Sequence, residues 1–329
     1  MHFIRYTGQI KNKIDRHGYF QYKDNIVEVI SAPWDRYNNV IMRNVCHAHL
    51  SSSLNSKIDI PFKNIWYDCI LGKVDKQEKL CLLVNAHLYT LVNENFISFL
   101  RAKYKNCYIV LYFSDTYKYF CKNYRGFPSI AFLKSKLDFV LTYNVVDAKQ
   151  YDLKLMRPAF PNYSSVKDNY DIVESDFFFV GQNKGRLNDL IKIYETCKKR
   201  NLVCDFYITG VNPDDFKYPE IIHYNTTLTY EEVLERVKKT KCVVNIVQSN
   251  TQGITMRDYE ALGNGKMLLT NNYYLESMDF FNPRQVVWID NLENEIDKMF
   301  NNLPKETVDI SSYNEEGFYI WLNGIISNK

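Results

Sequence analysis

The sequence alternates between short, continuous apolar segments and amphipathic ones. In the first half, Leu80–Val84, Cys107–Phe113 and Phe139–Thr142 are almost uninterrupted apolar runs. Runs of this kind are typical of parallel strands that are buried on both faces. The segments at residues 93–105 and 130–136 lie between them and carry apolar residues at helical spacing. This order predicts an α/β architecture, a parallel sheet covered by helices.

The second half repeats the pattern. Strands are predicted at residues 177–180, 204–209, 242–247, 266–270 and 286–289, and helices at residues 187–194, 229–237, 256–262 and 317–326. Between the halves, residues 157–176 contain two prolines and a polar stretch that fit neither pattern. We therefore predict two doubly wound domains, residues 1–160 and 161–329, with the last helix packing back on the first domain.

Composition limits the class of protein. Apolar residues make up 46% of the chain, which excludes a disordered protein. There is no apolar run near the ~20 residues of a membrane-spanning helix, and the N-terminus lacks the pattern of a secretory signal. None of the 8 cysteines forms a CxxC pair, so we expect buried, reduced thiols and a cytoplasmic protein. The 26 tyrosines rise together with lysine and asparagine, which favours codon bias over a binding role.

Charge is divided unevenly along the chain. Residues 1–165 carry 23 basic and 13 acidic side chains, whereas residues 166–329 carry 18 basic and 25 acidic ones. The two halves should therefore face different partners. The basic half is suited to an anionic partner, such as a membrane surface or a lipid-linked phosphate. A solvated lysine-rich surface is the alternative.

The most informative segment covers residues 248–272, after the predicted strand that ends at Val247. It is polar and opens a helix at Thr255. In an open α/β sheet, ligands bind beyond the carboxyl ends of the strands, and a helix N-terminus there offers amides to an anion. The positive charge of Arg257 in the first turn interacts unfavourably with the helix dipole unless an anion binds there. The Glu260 carboxylate can accept hydrogen bonds from two ribose hydroxyls. The alternative is a surface Arg–Glu ion pair, worth about 0.2–0.5 kcal/mol.

This segment, Thr-Met-Arg-Asp-Tyr-Glu-Ala-Leu-Gly-Asn-Gly-Lys-Met-Leu-Leu-Thr-Asn, resembles the donor site of GT-B glycosyltransferases. It is most similar to bacterial enzymes that build capsule, lipopolysaccharide and other surface glycans. The resemblance extends over most of residues 137–329. It implies two Rossmann-like domains facing a cleft, with Glu260 on the donor ribose and Thr255 and Arg257 near the donor phosphates.

The resemblance has one departure that bears on stereochemistry. Retaining members carry a second Glu seven residues before the ribose Glu, and this chain has Gly253 there. Inversion and retention therefore both stay open. No Asp-x-Asp motif occurs in a suitable context, so we expect a metal-independent enzyme without a cofactor. We also expect a UDP-linked donor.

Two further segments are candidates for the donor site. Val-Gly-Gln-Asn-Lys-Gly-Arg, residues 180–186, follows a strand and opens a helix. Gly181 lets the backbone approach an anion, and Lys184 and Arg186 supply positive charge. It lacks the Gly-Lys-Ser/Thr of a Walker loop, and an ordinary turn is the alternative. In similar enzymes the loop at His223 and Tyr224 wraps the donor base, so Tyr224 is a candidate for stacking; a buried strand end is the alternative.

A catalytic base, if the enzyme inverts, should follow a strand of the first domain. Asp115 comes after the strand Cys107–Phe113 and is the preferred candidate. His87 comes after the strand Leu80–Val84 and is the second. His47 and His49 form a His-x-His pair, but no carboxylate or cysteine cluster completes a metal site.

Together these features predict a glycosyltransferase, in the hexosyltransferase class, that serves surface polysaccharide biosynthesis. Its partners would be a nucleotide sugar and a glycan or lipid-linked acceptor, with peripheral contact at the inner face of the cell membrane. The alternatives are a nucleotide-sugar epimerase of the same fold, a non-catalytic partner subunit and a nucleic-acid-binding protein. Nucleic-acid binding is disfavoured because basic and aromatic residues are scattered rather than gathered in a short motif.

Overall fold

The chain forms two units, each built on its own sheet. Unit 1 comprises Met1–Arg157 and Tyr319–Lys329, and unit 2 comprises Pro158–Phe318. The predicted boundary at residue 160 lies outside the described residues. The structure, a computed structural model, describes residues 1–7, 18–22, 25–55, 57–58, 60–72, 74–157, 172–248, 253–300, 303, 308–310 and 313–329.

The described part of unit 1 holds a seven-stranded sheet in the order β2-β3-β1-β4-β5-β6-β7. Its strands are β1 His2–Tyr6, β2 Gly18–Tyr22, β3 Asn25–Ile30, β4 Leu80–Asn85, β5 Cys107–Phe113, β6 Phe139–Thr142 and β7 Lys154–Leu155. Its helices are α1 Val40–Leu50, α2 Ser52–Asn55, α3 Tyr67–Leu71, α4 Glu94–Lys103, α5 Tyr117–Asn123, α6 Ile130–Lys136 and α7 Val145–Tyr151.

One strand departs from the predicted parallel arrangement. β2 pairs antiparallel with β3, whereas every other described pair in this sheet is parallel. Only residues 23–24 connect the two strands, and so short a connection permits only an antiparallel pair. The central strand β1 was not predicted, because His2 and Arg5 interrupt its apolar pattern.

The described part of unit 2 holds a six-stranded sheet in the order β10-β9-β8-β11-β12-β13, and its described pairs are parallel. The strands are β8 Ser175–Gln182, β9 Cys204–Thr209, β10 His223–Tyr224, β11 Thr240–Asn245, β12 Met267–Thr270 and β13 Val286–Trp288. The helices are α8 Leu187–Lys198, α9 Tyr230–Lys239, α10 Met256–Gly263, α11 Leu292–Met299 and α12 Glu315–Ser327, of which Tyr319 onward belongs to unit 1.

Burial explains the continuous apolar runs. Phe177 and Phe179 of β8 pack on one face of the sheet with α8 and α11, while Phe178 packs on the other face. Because both faces are covered, successive residues of a strand are all apolar. The helix α9 begins with a capping box, in which the Thr229 amide donates to Glu232 Oε2 at 2.6 Å.

All 8 cysteines lie within the described residues and are free thiols. Six are buried, Cys69 is half-buried and Cys121 is exposed, so the expectation of buried thiols is wrong for Cys121. Across the described residues, no helix is long and apolar enough to cross a bilayer.

Candidate functional site

The turn between β8 and α8 has the geometry of an anion site. Lys184 and Gly185 both have left-handed backbones, with φ of +43° and +84°. The Gly185 backbone is one that glycine adopts without steric cost. At Gly181 the reason for glycine is space, because a Cβ atom there would lie 3.0 Å from Arg186 Nη2. The turn thus keeps its backbone accessible and leaves Lys184 exposed.

Arg186 folds back against the sheet edge. Its Nε donates to the carbonyl of Gln182 at 3.0 Å, and its Nη1 donates to the carbonyl of Ile246, which follows β11. The guanidinium also lies 5.4 Å from the ring centre of Phe179. The side chain therefore links the ends of two neighbouring strands and has a fixed position.

The positive charge of Arg186 lacks a described counter-charge. No carboxylate of the described ranges forms an ion pair with it. Burial lowers the pKa of Arg186 below its ordinary value, and no nearby acid offsets this effect. A half-buried cation without a counter-ion is favourable for a bound anion.

Helix α10 carries the two predicted residues Arg257 and Glu260. Arg257 Nη1 contacts Glu260 Oε2, so the alternative of an ion pair at i,i+3 is realised. The pair is not a surface pair, however, because the Glu260 side chain is fully buried. Arg257 is also not an uncompensated cation, since Glu260 neutralises it.

The second carboxylate oxygen of Glu260 is the notable atom of this site. Among the residues that the structure describes, no group donates a hydrogen bond to Glu260 Oε1, although this atom is buried. A buried acceptor without a donor costs about 1–3 kcal/mol. A ligand hydroxyl at this position would satisfy it.

Asp258, between these two residues, anchors the helix and was missed by the sequence analysis. It accepts from the Thr255 amide at 2.7 Å, from Asn245 Nδ2 at 2.6 Å and from Asn272 Nδ2 at 3.0 Å. Burial raises the pKa of Asp258 to about 6, although these hydrogen bonds act in the opposite direction. The polar residues that end β11 and follow β12 thus fix the start of α10.

This network changes the expected role of Thr255. Its hydroxyl accepts from Asn245 Nδ2 at 2.9 Å and therefore faces the buried network. Contact between Thr255 and a donor phosphate stays a prediction. Gly253 has φ of +147°, a backbone that residues with a side chain rarely adopt, and its carbonyl accepts from Asn272 Nδ2 at 3.0 Å. A Glu at this position would be strained.

Tyr224 lies at the end of β10, on the sheet edge beyond β9. Its ring stacks on Phe216 at 4.2 Å with an interplanar angle of 8°, and its hydroxyl donates to the Lys217 carbonyl at 2.7 Å. One ring face is therefore occupied, and only the other could receive a base. His223 likewise stacks on Tyr207 at 4.4 Å.

A groove of about 610 Å³ lies between α8 and the segment around α11. Among its lining residues are the acids Asp189, Glu195, Asp290 and Glu293, against the lysines Lys192 and Lys199. The predicted donor residues do not line it. Because its carboxylates outnumber its cations, this groove is less suited to an anion than the edge that carries Arg186.

In unit 1, the two candidate bases lie on neighbouring strand ends. His87 follows β4 and Asp115 follows β5, two strands that pair in parallel. His87 Nδ1 lies 2.6 Å from the hydroxyl of Tyr124, and Asp115 Oδ1 accepts from the Thr116 amide at 2.8 Å. Burial lowers the pKa of His87, and the negative charge of Asp115 partly offsets this. The structure thus brings the two candidates together.

Two further groups of this cluster were missed. Tyr143 and Asp147 follow β6, the strand next to β5. Burial raises the pKa of Asp147, and the charge of Asp115 adds to the effect; the Tyr117 amide, which donates to Asp147 Oδ2 at 2.7 Å, opposes it. Burial also raises the pKa of the half-buried Tyr143 hydroxyl, and the charges of Asp115 and Asp147 add to this effect. Tyr143 stands directly after β6, and this position is the signal that could have found it, whereas Asp147 lies in the first turn of α7.

His47 and His49 are spaced two residues apart on α1 and point to different sides of the helix. His47 packs against Trp34 at 4.5 Å, and His49 packs against Trp66 at 5.8 Å. Across the described residues, no group of three or more His, Cys, Asp or Glu side chains is arranged to hold a metal ion.

The chain is similar to known glycosyltransferases in part of its sequence and in its fold. Residues 191–313 match the family model described as glycosyl transferase-like. A solved trehalose-6-phosphate synthase, studied for glycosyl transfer with retention, matches 100% of this chain and 93% of its own, with a TM-score of 0.51 and 10% identity. The fold is that of the GT-B glycosyltransferases.

Two other solved structures are similar over much of the chain. The sucrose-phosphate synthase of Thermosynechococcus elongatus has 11% identity and a TM-score of 0.49, covering 99% of this chain and 88% of its own. An alpha-glucosyltransferase in complex with UDP-glucose and DNA has 12% identity and a TM-score of 0.47, covering 75% of this chain and 80% of its own. No curated protein sequence matches the chain significantly.

Proposed function

We propose that this protein is a glycosyltransferase of the hexosyltransferase class that transfers a sugar from a UDP-linked donor to a glycan or lipid-linked acceptor. The observation that carries the proposal is the buried carboxylate of Glu260, whose Oε1 has no donor among the described residues. It lies on α10, the helix after β11, at the sheet edge where α/β proteins bind ligands. A ribose supplies the missing hydroxyl donors.

The charge at this edge supports a donor diphosphate. Arg186 is held by the carbonyls of Gln182 and Ile246, and Lys184 is exposed on the adjoining turn. Fixed cations stabilise the negative charge that develops on the departing nucleoside diphosphate without reorganising during the reaction. Such stabilisation needs no metal, and we propose that the enzyme is metal-independent. Full activity after extensive dialysis against EDTA is the expected result.

The acceptor hydroxyl would lose its proton to a base of unit 1. Asp115 is our first candidate and His87 the second, because both follow strands of the unit 1 sheet at the edge expected for a ligand. Burial raises the pKa of the neighbouring Asp147, and the charge of Asp115 adds to this effect, so Asp147 is a further group of this cluster that is suited to accept a proton.

A role in surface polysaccharide biosynthesis, at the inner face of the cell membrane, follows from the resemblance of residues 255–271 and from the basic first half of the chain. The acceptors of such pathways are carried on anionic lipids. A basic unit is attracted to them and to the surface that holds them.

Donor binding can be tested with a variant of Glu260 and a matched control. Glu260→Gln keeps the shape of the side chain but loses its charge, and we expect it to weaken UDP-sugar binding at least tenfold, about 1.4 kcal/mol. The matched control is Glu231→Ala on α9, which lies at an exposed position and should bind normally. Calorimetric titration with UDP and UDP-sugars measures both. Wild-type affinity in a folded Glu260→Gln protein would show that the site is elsewhere.

A second experiment, product analysis, addresses the epimerase alternative. Incubation of the protein with a UDP-sugar alone should give slow release of UDP through hydrolysis. An isomerised UDP-sugar as the product would instead favour an epimerase.

A further inference from the structure

Unit 1 exposes an unusual number of large apolar side chains within one short stretch. They are Val40, Ile41, Met42, Val45, Leu54, Ile58, Phe62 and Ile65. We call these eight residues the apolar surface. Soluble proteins rarely expose apolar side chains in a contiguous group, and such a group usually marks a binding surface.

The elements that carry the apolar surface are in contact with one another. Helix α1 contacts α2 and the short helix Lys63–Trp66. Leu50 and Trp66 are buried beneath them, so the backbone is anchored to the core of unit 1. The exposed side chains thus belong to a supported surface and not to a free end.

Helix α1 directs apolar residues outward. Ile41 is 72% exposed, and Val45, one turn later on the same face, is 41% exposed. The face toward the core carries Cys46 and Leu50. Exposure of apolar residues on the outer face of a helix is unfavourable in water. Burial of that face in another apolar phase is favourable.

Phe62 provides a second, independent sign of selection for exposure. Its backbone is left-handed, with φ of +63°, although a bulky residue disfavours this region. Its side chain is 74% exposed, so no packing in the described structure compensates for the unfavourable backbone. Glycine would suit this backbone better, and this favours a role for the exposed phenyl ring.

Charge distinguishes among the partners that such a surface could bind. The stretch from residue 40 to 65 contains the basic residues Arg43, Lys57 and Lys63 and one acidic residue, Asp59. The first half of the chain also has an excess of basic residues. Apolar side chains interspersed with cations match a bilayer whose headgroups are anionic.

We infer that the apolar surface inserts into the headgroup region of an anionic membrane. The surface is linked to the region of the candidate bases, because Ser52 Oγ lies 3.0 Å from Thr90 Oγ1 in Ala86–Val92, the segment that contains His87. If the proposed function holds, the surface brings a lipid-linked acceptor toward that region. Membrane binding itself does not depend on the donor.

Vesicle flotation tests the inference. Vesicles of phosphatidylcholine with a quarter of phosphatidylglycerol should carry the protein, and vesicles of phosphatidylcholine alone should carry much less. The combined variant Ile41→Ser, Ile58→Ser, Phe62→Ser should lose binding at least tenfold, about 1.4 kcal/mol. The matched control changes three apolar residues with exposure of 44–51% elsewhere, Val203→Ser, Ile221→Ser and Ile320→Ser, and should float like the wild type.

Phe62→Gly is the sharpest single variant. Because glycine favours the left-handed backbone, the variant should be at least as stable as the wild type and yet bind anionic vesicles more weakly. Stability is measured by thermal unfolding, so a folding defect cannot imitate the result. Equal vesicle binding by wild type and by both surface variants would overturn the inference.

Two other outcomes are informative. If the wild type does not bind vesicles but is a dimer that the triple variant makes monomeric, a second copy covers the surface and the inference is wrong. Wild-type UDP-sugar binding by Glu260→Gln would contradict the proposed function alone. Vesicle binding in that case would still support the membrane surface.

Discussion

The two sheets of this protein share one architecture but end in opposite chemistry. In unit 1 the strands β4, β5 and β6 are followed by His87, Asp115 and Asp147, an imidazole and two carboxylates. In unit 2 the corresponding edge carries Lys184 and Arg186 and a buried network of amides. The parallel sheet supplies an edge in both units, and the residues after each strand decide what that edge can bind.

The largest expected effect is a loss of turnover without a loss of donor binding. Asp115→Asn removes the preferred base and should lower kcat by about 10²–10⁴-fold, the usual contribution of general base catalysis. Affinity for UDP should not change, because Asp115 belongs to unit 1. Steady-state kinetics and calorimetric titration measure the two quantities.

The control for this variant is Asp152→Asn, an exposed acid of the same unit. It should have wild-type kcat. Normal turnover by Asp115→Asn together with loss of turnover by His87→Gln would assign the base to His87 instead.

The second prediction concerns the pH dependence of folding. Burial raises the pKa of Asp258 to about 6, above its ordinary value of 3.8. A carboxyl group whose pKa is raised on folding contributes stability below its unfolded pKa and loses that contribution as the pH rises through the folded pKa. The free energy of unfolding of the wild type, relative to Asp258→Asn, should therefore fall by about 3 kcal/mol between about pH 3 and pH 7.

Urea unfolding at several pH values measures this difference. Unit 1 has Asp147 with a pKa that burial also raises, so Asp147→Asn is the comparison for the other sheet. The free energy of unfolding of the wild type, relative to Asp147→Asn, should also fall as the pH rises. A constant difference across this pH range for Asp258→Asn would show that its carboxyl titrates normally.

The third prediction tests the cation without a counter-ion. Arg186→Gln should weaken UDP binding by about ten- to a hundredfold, since a hydrogen bond to a charged group contributes about 1.5–3 kcal/mol. The matched control is Arg200→Gln, because Arg200 follows the C-terminal end of α8 and is paired with Glu293 and Asp297 of α11. A weaker effect for Arg186 than for Arg200 would contradict an anion site at the sheet edge.

The smallest effect is expected at the exposed cation of the turn. Lys184→Gln should weaken UDP binding by less than tenfold, and the difference should disappear at high salt, because exposed charges contribute about 1 kcal/mol or less and are screened. Lys192→Gln in the groove next to α8 is the comparison. A larger loss for Lys192 would place the diphosphate in that groove.

Sequence reasoning located most strands and helices because both faces of each sheet are buried, which forces continuous apolar runs. Cys107–Phe113, Phe139–Thr142 and Cys204–Thr209 were predicted with the bounds that the structure has. It also identified Glu260 and Arg186 as candidates for a donor site, since each lies on a helix or turn that follows a strand. The role of each residue stays a prediction until the binding experiments are done.

What escaped the sequence analysis depends on contacts between distant residues. Asp258 looks like any acid in a first helical turn, and only its three described partners reveal a buried anchor. Asp147 likewise gains significance from Asp115, which is far away in the chain. Nothing in the one-dimensional pattern distinguishes an outward apolar face on α1 from an inward one.

By itself, the sequence determined the two sheets, their helices and the chain positions where ligands should bind, because apolar periodicity and strand–helix order are local properties. Only the tertiary structure decided that Glu260 is buried with one carboxylate oxygen to which no described group donates, that Arg186 bridges two strands, and that the residues around Phe62 face water. The physical reason is that burial and charge compensation are set by neighbours in space, and folding brings those neighbours together from distant parts of the chain.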